Sequence, residues 1–296
     1  MRAADAFRKQ IEVRPFHSQA HKDLGRVLDD LGDHEGAVAA FTKHVEIHPL
    51  DGAALGDLGE VLVRKERYAE AVPHLEKAAA LVKNDAWTAA YLAVAHIAMK
   101  EFDKARARID DVVRMSPPPA VSTYLAWQLA DHAHDLPRAA ELARKSLAAH
   151  AAATGKLEAA GISEQDFDLV EGVAWTWDAL GWIHFHHGDL PAAERYIRAS
   201  WLIAGEDDTA LHLARVYEKQ GRTTDAATAY LLSVVLASDP RDDAKERVKV
   251  YFGPGANMES AAAGAKVSAL NERVVRLSAE AGSFEGRFLA LIGPPR

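Results

Sequence analysis

The chain has 296 residues, 49% of them apolar and 26% charged, which suffices to bury a core and excludes a disordered chain. Lys and Arg number 35 against 43 Asp and Glu, and the formal charge of −8 has the wrong sign for coating a phosphate backbone, so no nucleic-acid partner is expected. With no Cys, disulfides, thiolate metal sites, iron–sulfur clusters and cysteine nucleophiles are excluded together.

Residues 1–15 carry charges every few positions and have no apolar run of signal-peptide length, and no later segment approaches the length of a membrane span. The expectation is a cytoplasmic chain without membrane insertion, or a secreted or periplasmic one if the N-terminus is truncated. From Leu24-Gly25 the chain runs through Gly32, Ala37, Phe41 and Pro49, and the skeleton returns 34 residues later at Leu58-Gly59, Ala71 and Ala78. It returns again at Leu92-Ala93, Ala105 and Pro117, then at Leu125-Ala126 and Ala139, where the internal turn slips by one residue. Two further copies follow at Leu180-Gly181, Gly188 and Ala193, and at Leu213-Ala214, Gly221, Ala226 and Tyr230. Ala3, Phe7 and Pro15 precede Ala37, Phe41 and Pro49 by one period, so residues 1–17 read as half a helix pair.

Each copy places small residues where two helices must approach closely; Gly32, Gly188 and Gly221 stand where a first helix ends, and Pro49 and Pro117 where a second one does. Each helix pair then has an apolar face that its neighbour covers. This pattern resembles the tetratricopeptide repeat over about residues 1–240. The resemblance implies an all-α fold, a right-handed α-solenoid of helix pairs: the half repeat at 1–17, four repeats at 18–153, an insertion at 154–173 and two repeats at 174–240.

Within the insertion, an extended second helix leads to a loop and a short turn containing Gln165, capped by Ser163. Directly after it, Trp175, Trp177, Leu180, Trp182, Ile183 and Phe185 are apolar around the whole helix circumference. Either the insertion folds over this helix and buries it, or the aromatics form a binding surface. Residues 241–296 read as capping helices, the first closing the last repeat with Val248, Tyr251 and Phe252, followed by a small β-hairpin whose strands carry Val274 and Phe288. From residue 174 onward the chain also resembles the tails of bacterial proteins in which repeats follow a transglutaminase-like domain, although that domain's Cys nucleophile is absent.

No nucleophile elbow, phosphate loop, dinucleotide fingerprint or zincin motif occurs, so no enzyme activity and no cofactor are expected. His44 with His48, and His184 with His187, have spacings that could bring two imidazoles to a metal, but nothing at fixed spacing supplies further ligands. His17 and His21 straddle a helix start. Acidic pairs such as Asp207-Asp208 read as caps and solvated ends.

What remains is binding of protein. The resemblance implies that a concave wall is lined from fixed positions of each first helix. Counted from Ser18, Gly52, Ala86, Ala120, Ala174 and the last repeat's start, these give Lys22 and Arg26, then Trp87, Val94 and Ile97, then Tyr124 and Gln128, then Trp175, Trp182, Phe185 and His186, and finally Leu211, Arg215 and Lys219. Beyond Lys22 and Arg26 the family's clamp for a terminal carboxylate is absent, so an apolar peptide or helix is the expected ligand, unless the aromatics fill a tight superhelix and face no partner. The first functional reading is a non-catalytic interaction module that associates with copies of itself, head to tail, through Ala3 and Phe7 at one end and Val274 and Phe288 at the other, giving an oligomer or filament. The second is a monomeric scaffold holding an apolar segment of another protein. The third is an accessory region of a larger transglutaminase-like protein.

Overall fold

A computed structural model describes residues 2–154, 164–237 and 240–253. Among them the chain forms fourteen α-helices and no strand, gathered into two compact units that divide between Pro117 and Pro118. The first unit holds α1 (Arg2–Val13), α2 (Ser18–Asp30), α3 (His34–Ile47), α4 (Gly52–Arg64), α5 (Tyr68–Leu81), α6 (Ala86–Ala98) and α7 (Phe102–Arg114). The second holds α8 (Pro119–Asp131), α9 (Leu136–Thr154), α10 (Glu164–His186), α11 (Leu190–Ile203), α12 (Asp207–Lys219), α13 (Thr223–Leu236) and α14 (Asp242–Phe252). Within each unit every helix packs on its chain neighbours, and first helices of successive pairs also meet, α4 on α6, α8 on α10 and α10 on α12. The expected hairpin, with Val274 and Phe288, lies outside the described residues, as does Ser163.

The helices begin where the sequence provides acceptors. The side chains of Asp33, Asp51, Asp85 and Asp189 each take a backbone N–H from the first turn that follows. The pairs are then fixed by small residues. Ala37, Ala71, Ala105, Ala139, Ala193 and Ala226 are all at 0% exposure, one in each copy of the pattern. On the facing first helices, a Cβ added at Gly25, Gly59 or Gly181 would lie 2.8, 2.4 and 2.4 Å from Phe41, Leu75 and Ile197 respectively, so no methyl group fits between the helices. Helix α1 packs on α2. It buries Ala4 and half-buries Phe7, while Ala3, at the position where Ala37 meets a first helix, is exposed.

The turn inside each pair has one backbone solution. Eight residues after the anchoring Leu, the chain adopts a left-handed conformation in all six copies, at Gly32, Glu66, Lys100, Ala133, Gly188 and Gly221. Glycine does this freely, whereas Glu66, Lys100 and Ala133 each accept a strain of roughly 1 kcal/mol. The slip in the fourth copy is one additional residue between α8 and α9, absorbed by a second left-handed residue, Asp135.

Helix α10 differs from the sequence reading in its start. It begins at Glu164, so Gln165 lies in its first turn instead of in a separate short turn, and the Trp-rich stretch is the later part of a 23-residue helix. Four helices pack on it, α8, α9, α11 and α12, which accounts for apolar side chains around its circumference. Trp177 is buried with Val173 and Ala199, and Leu147, Tyr196 and Ile203 close over them. At the end of the second unit, Ala244 and Val248 bury α14 against α13. No described helix is long and apolar enough to cross a membrane.

Candidate binding surface

On the first unit the polar side chains of the first helices are taken up by the next repeat. Lys22, although buried, donates to Asp51 (2.9 Å), which also accepts from His44 Nε2 (2.9 Å) and caps α4 through the Ala54 N–H (3.0 Å). Burial alone would push the Asp51 carboxyl up; the Ala54 N–H, Lys22 and His44 together hold it well below the usual carboxylate range. His44 Nδ1 lies 2.8 Å from the Ser18 carbonyl, so both ring nitrogens face acceptors of this chain. Arg26 pairs with Asp57 (2.9 Å), and Asp29 gathers Arg64 (2.9 Å) and His34 (2.8 Å). Of the apolar candidates in this unit, Val94 and Ile97 are buried, and Trp87 is 37% exposed and stacked on Tyr91 at 5.6 Å.

The second unit is built differently. Three first helices, α8, α10 and α12, bring together acids, several aromatics and Arg215, and Arg241 reaches the same face from the residue before α14. Asp178 on α10 is 3% exposed; its Oδ2 accepts from the Trp127 indole N–H of α8 (3.1 Å) and from His212 Nδ1–H of α12 (2.8 Å). Trp182, one turn later, stacks on that His212 ring at 4.1 Å and on Phe185 at 4.4 Å, with His186 edge-on at 5.0 Å. The Arg215 guanidinium lies 5.5 Å from the Trp182 ring centroid and also pairs with Asp243. Arg241 is shared between Asp131 (3.5 Å) and Asp243 (3.6 Å). Burial lowers the His186 imidazole below its ordinary value. Tyr124 is half-buried, Leu211 is buried, Lys219 is exposed and Trp175 is 45% exposed.

Several polar atoms of this face have no partner. Asp178 Oδ1, Trp182 Nε1 and His186 Nε2 are buried without a hydrogen bond, and their residues recur every fourth position along one stripe of α10. Asp208, in the first turn of α12, has neither hydrogen bond nor ion pair among the described residues. Its carboxyl is pushed up to about 6, chiefly by burial, with the charges of Asp207 and Asp178 adding and His212 and Arg241 opposing. Glu206 beside it is raised as well, by burial and by Asp207, Glu171 and Asp208. Beneath the face, Thr123 Oγ1 lies 2.7 Å from both Ser146 Oγ and Thr176 Oγ1, while Ser146 and Thr176 donate to the carbonyls of Pro119 and Gly172.

The residues that sequence reasoning passed over were within its reach. The register that selects Trp175, Trp182, Phe185 and His186 also selects Asp178, and the same counting in α8 and α12 selects Asp131 and Asp208. Attention to aromatics and cations left out one acid on each of the three helices. The histidine pairs considered for metal go elsewhere: His17 caps α2 through the Ala20 N–H, His21 meets the Pro15 carbonyl, and His184 lies 3.5 Å from Asp189.

Models described as tetratricopeptide repeat match residues 1–51, 62–127 and 209–244, together just over half of the chain. Among solved structures, one similar to this chain is a tetratricopeptide repeat protein from Parabacteroides merdae, at 11% identity and a TM-score of 0.60, covering 84% of this chain and 90% of that one. Another is a chain of the APC/C hetero-tetramer Cut9–Hcn1, at 16% identity and a TM-score of 0.58, covering 83% of this chain and 45% of that one, so this chain spans less than half of its length. No curated protein matches. These comparisons do not show the resemblance of the stretch from residue 174 onward to the tails of transglutaminase-like proteins.

Proposed function

The chain belongs to the tetratricopeptide repeat family, and from that premise we propose that it is a non-catalytic scaffold whose second unit binds a segment of another protein on the face formed by α8, α10 and α12. The observation that carries this reading is the contrast between two tryptophans seven residues apart. Trp182 is locked between His212 and Phe185, whereas Trp175, on the same helix, leaves 45% of its surface in solvent. An exposed Trp on a rigid helix is the kind of side chain that anchors an interface, because its large area is already ordered before binding. A photoreactive amino acid at position 175 is expected to crosslink a partner that the same residue at Val250, exposed on α14, does not. The purified partner should then bind Trp175→Ala at least tenfold more weakly. Equal crosslinking from 175 and 250 would reject the surface.

A second reading is favoured by α1. Its exposed Ala3 and half-buried Phe7 lie where the other second helices meet a partner helix, and a second copy of this chain could supply the cover. Light scattering across a dilution series tests it: mass that rises with concentration, and ceases to rise in Phe7→Asp, supports self-association; a constant monomer mass rejects it.

A further inference from the structure

The acids on the second unit's face differ in what surrounds them. Asp131 on α8 has Arg241. Asp178 on α10 uses one oxygen for Trp127 and His212 and leaves the other buried and empty-handed. Asp208 on α12, half-buried, has no hydrogen bond and no contact ion pair among the described residues; His212 and Arg241 act on it only at longer range, and Asp207 beside it adds a further negative charge. The cations near them are committed: Arg241 is divided between Asp131 and Asp243, and Arg215 is held by Asp243 over the Trp182 ring. A carboxylate taken partly out of water without a counter-charge in contact with it is costly, and a cation from outside would relieve it. The face also shows that it tolerates such a cation, since the Arg215 guanidinium already lies over Trp182. Trp175, three residues before Asp178 on the same helix, offers the apolar surface alongside.

We infer that this face recognises an arginine side chain carried on an apolar segment of a partner protein, the guanidinium seated at Asp208 and Asp178 and the apolar part against Trp175. The inference rests on the proposed reading of this face as the binding surface and adds the chemistry of what it selects. Guanidinium suits the site because it presents several donors in a fixed plane to two separate carboxylates and stacks on indole.

The test uses the full chain and two fluorescein-labelled alanine–leucine peptides, identical except for a central arginine or its neutral isostere citrulline, with binding read by anisotropy. The arginine peptide is expected to bind at least tenfold more tightly. Asp208→Asn should abolish that preference while leaving citrulline-peptide affinity unchanged, and Asp208→Glu should retain it; circular dichroism checks that both variants fold. Trp175→Ala should weaken both peptides alike. Equal binding of the two peptides by the unmodified chain would overturn arginine recognition and leave the surface standing. A preference that survives Asp208→Asn would also overturn it, because the charge would be read elsewhere. Failure of both peptides to bind would overturn the inference and the surface together.

Discussion

The two units arrange the same repeat around opposite electrostatic situations. In the first, charges on the helices close on one another within a repeat or across to the adjacent one: Lys22 and His44 on Asp51, Arg26 on Asp57, Arg64 and His34 on Asp29. In the second, Asp208 has no contact ion pair among the described residues and Asp178 is half-used, beside a stack of aromatic rings. A repeat that satisfies its own polar groups gains rigidity and has little left to offer a ligand. One that leaves acids desolvated gives up stability and keeps an interaction in reserve, the pattern that perturbed carboxyls mark at functional sites.

Substitutions can break this contrast, and the largest effect is expected at Trp182. Trp182→Ala removes a ring stacked on His212 and Phe185 and should cost about 3–5 kcal/mol in urea unfolding, whereas Trp175→Ala on the same helix should stay within about 0.5 kcal/mol. Next comes Asp51→Ala, which strands Lys22 and His44 and uncaps α4, at about 3 kcal/mol. Because the folded carboxyl of Asp51 is depressed, its contribution is present above the ordinary carboxylate range and is lost as pH falls through the depressed value, so the penalty of the variant should shrink in strong acid.

Asp208 should behave in the opposite sense. Its folded pKa is raised to about 6, so protonation favours the folded state: the stability is present below the ordinary carboxylate value and is lost as pH rises through about 6. Asp208→Asn should therefore stabilise the chain by about 1–2 kcal/mol at pH 7.5 and by almost nothing at pH 4, read from paired melting curves. The groups facing it, Asp207, Asp178, His212 and Arg241, are unchanged in that comparison. The smallest effect is expected at Thr123. Three hydroxyl hydrogens cannot serve the four contacts among Thr123, Ser146, Thr176 and the two carbonyls, so Thr123→Val leaves the donations to Pro119 and Gly172 intact and should shift unfolding by less than about 1 kcal/mol.

What the sequence made legible follows from how the fold is held. Helix pairs that close over alanine and glycine repeat those residues at a fixed interval, which is why Ala37 through Ala226 could be read as packing positions before any coordinates. The left-handed turns were half legible: glycine announces Gly32, Gly188 and Gly221, but Glu66, Lys100 and Ala133 adopt the same backbone because the packed helices on either side demand it. The positions of the proposed binding face could be counted from the repeat, whereas their contacts could not. That Lys22 is neutralised by a residue of the next repeat, or that Asp178 spends one oxygen on two neighbouring helices, depends on contacts 29 to 51 residues apart in sequence. The sorting of Trp175 outward and Trp182 inward likewise depends on where α12 places His212.

The central proposal, that the second unit's first-helix face binds a protein segment, is tested most directly by backbone hydrogen exchange of the full chain with and without saturating arginine-bearing alanine–leucine peptide. Slowed exchange confined to α10 and α12, around Trp175 and Asp208, is the predicted result. Protection in α2 and α4 around Lys22 and Asp51, with α10 and α12 unchanged, would contradict it.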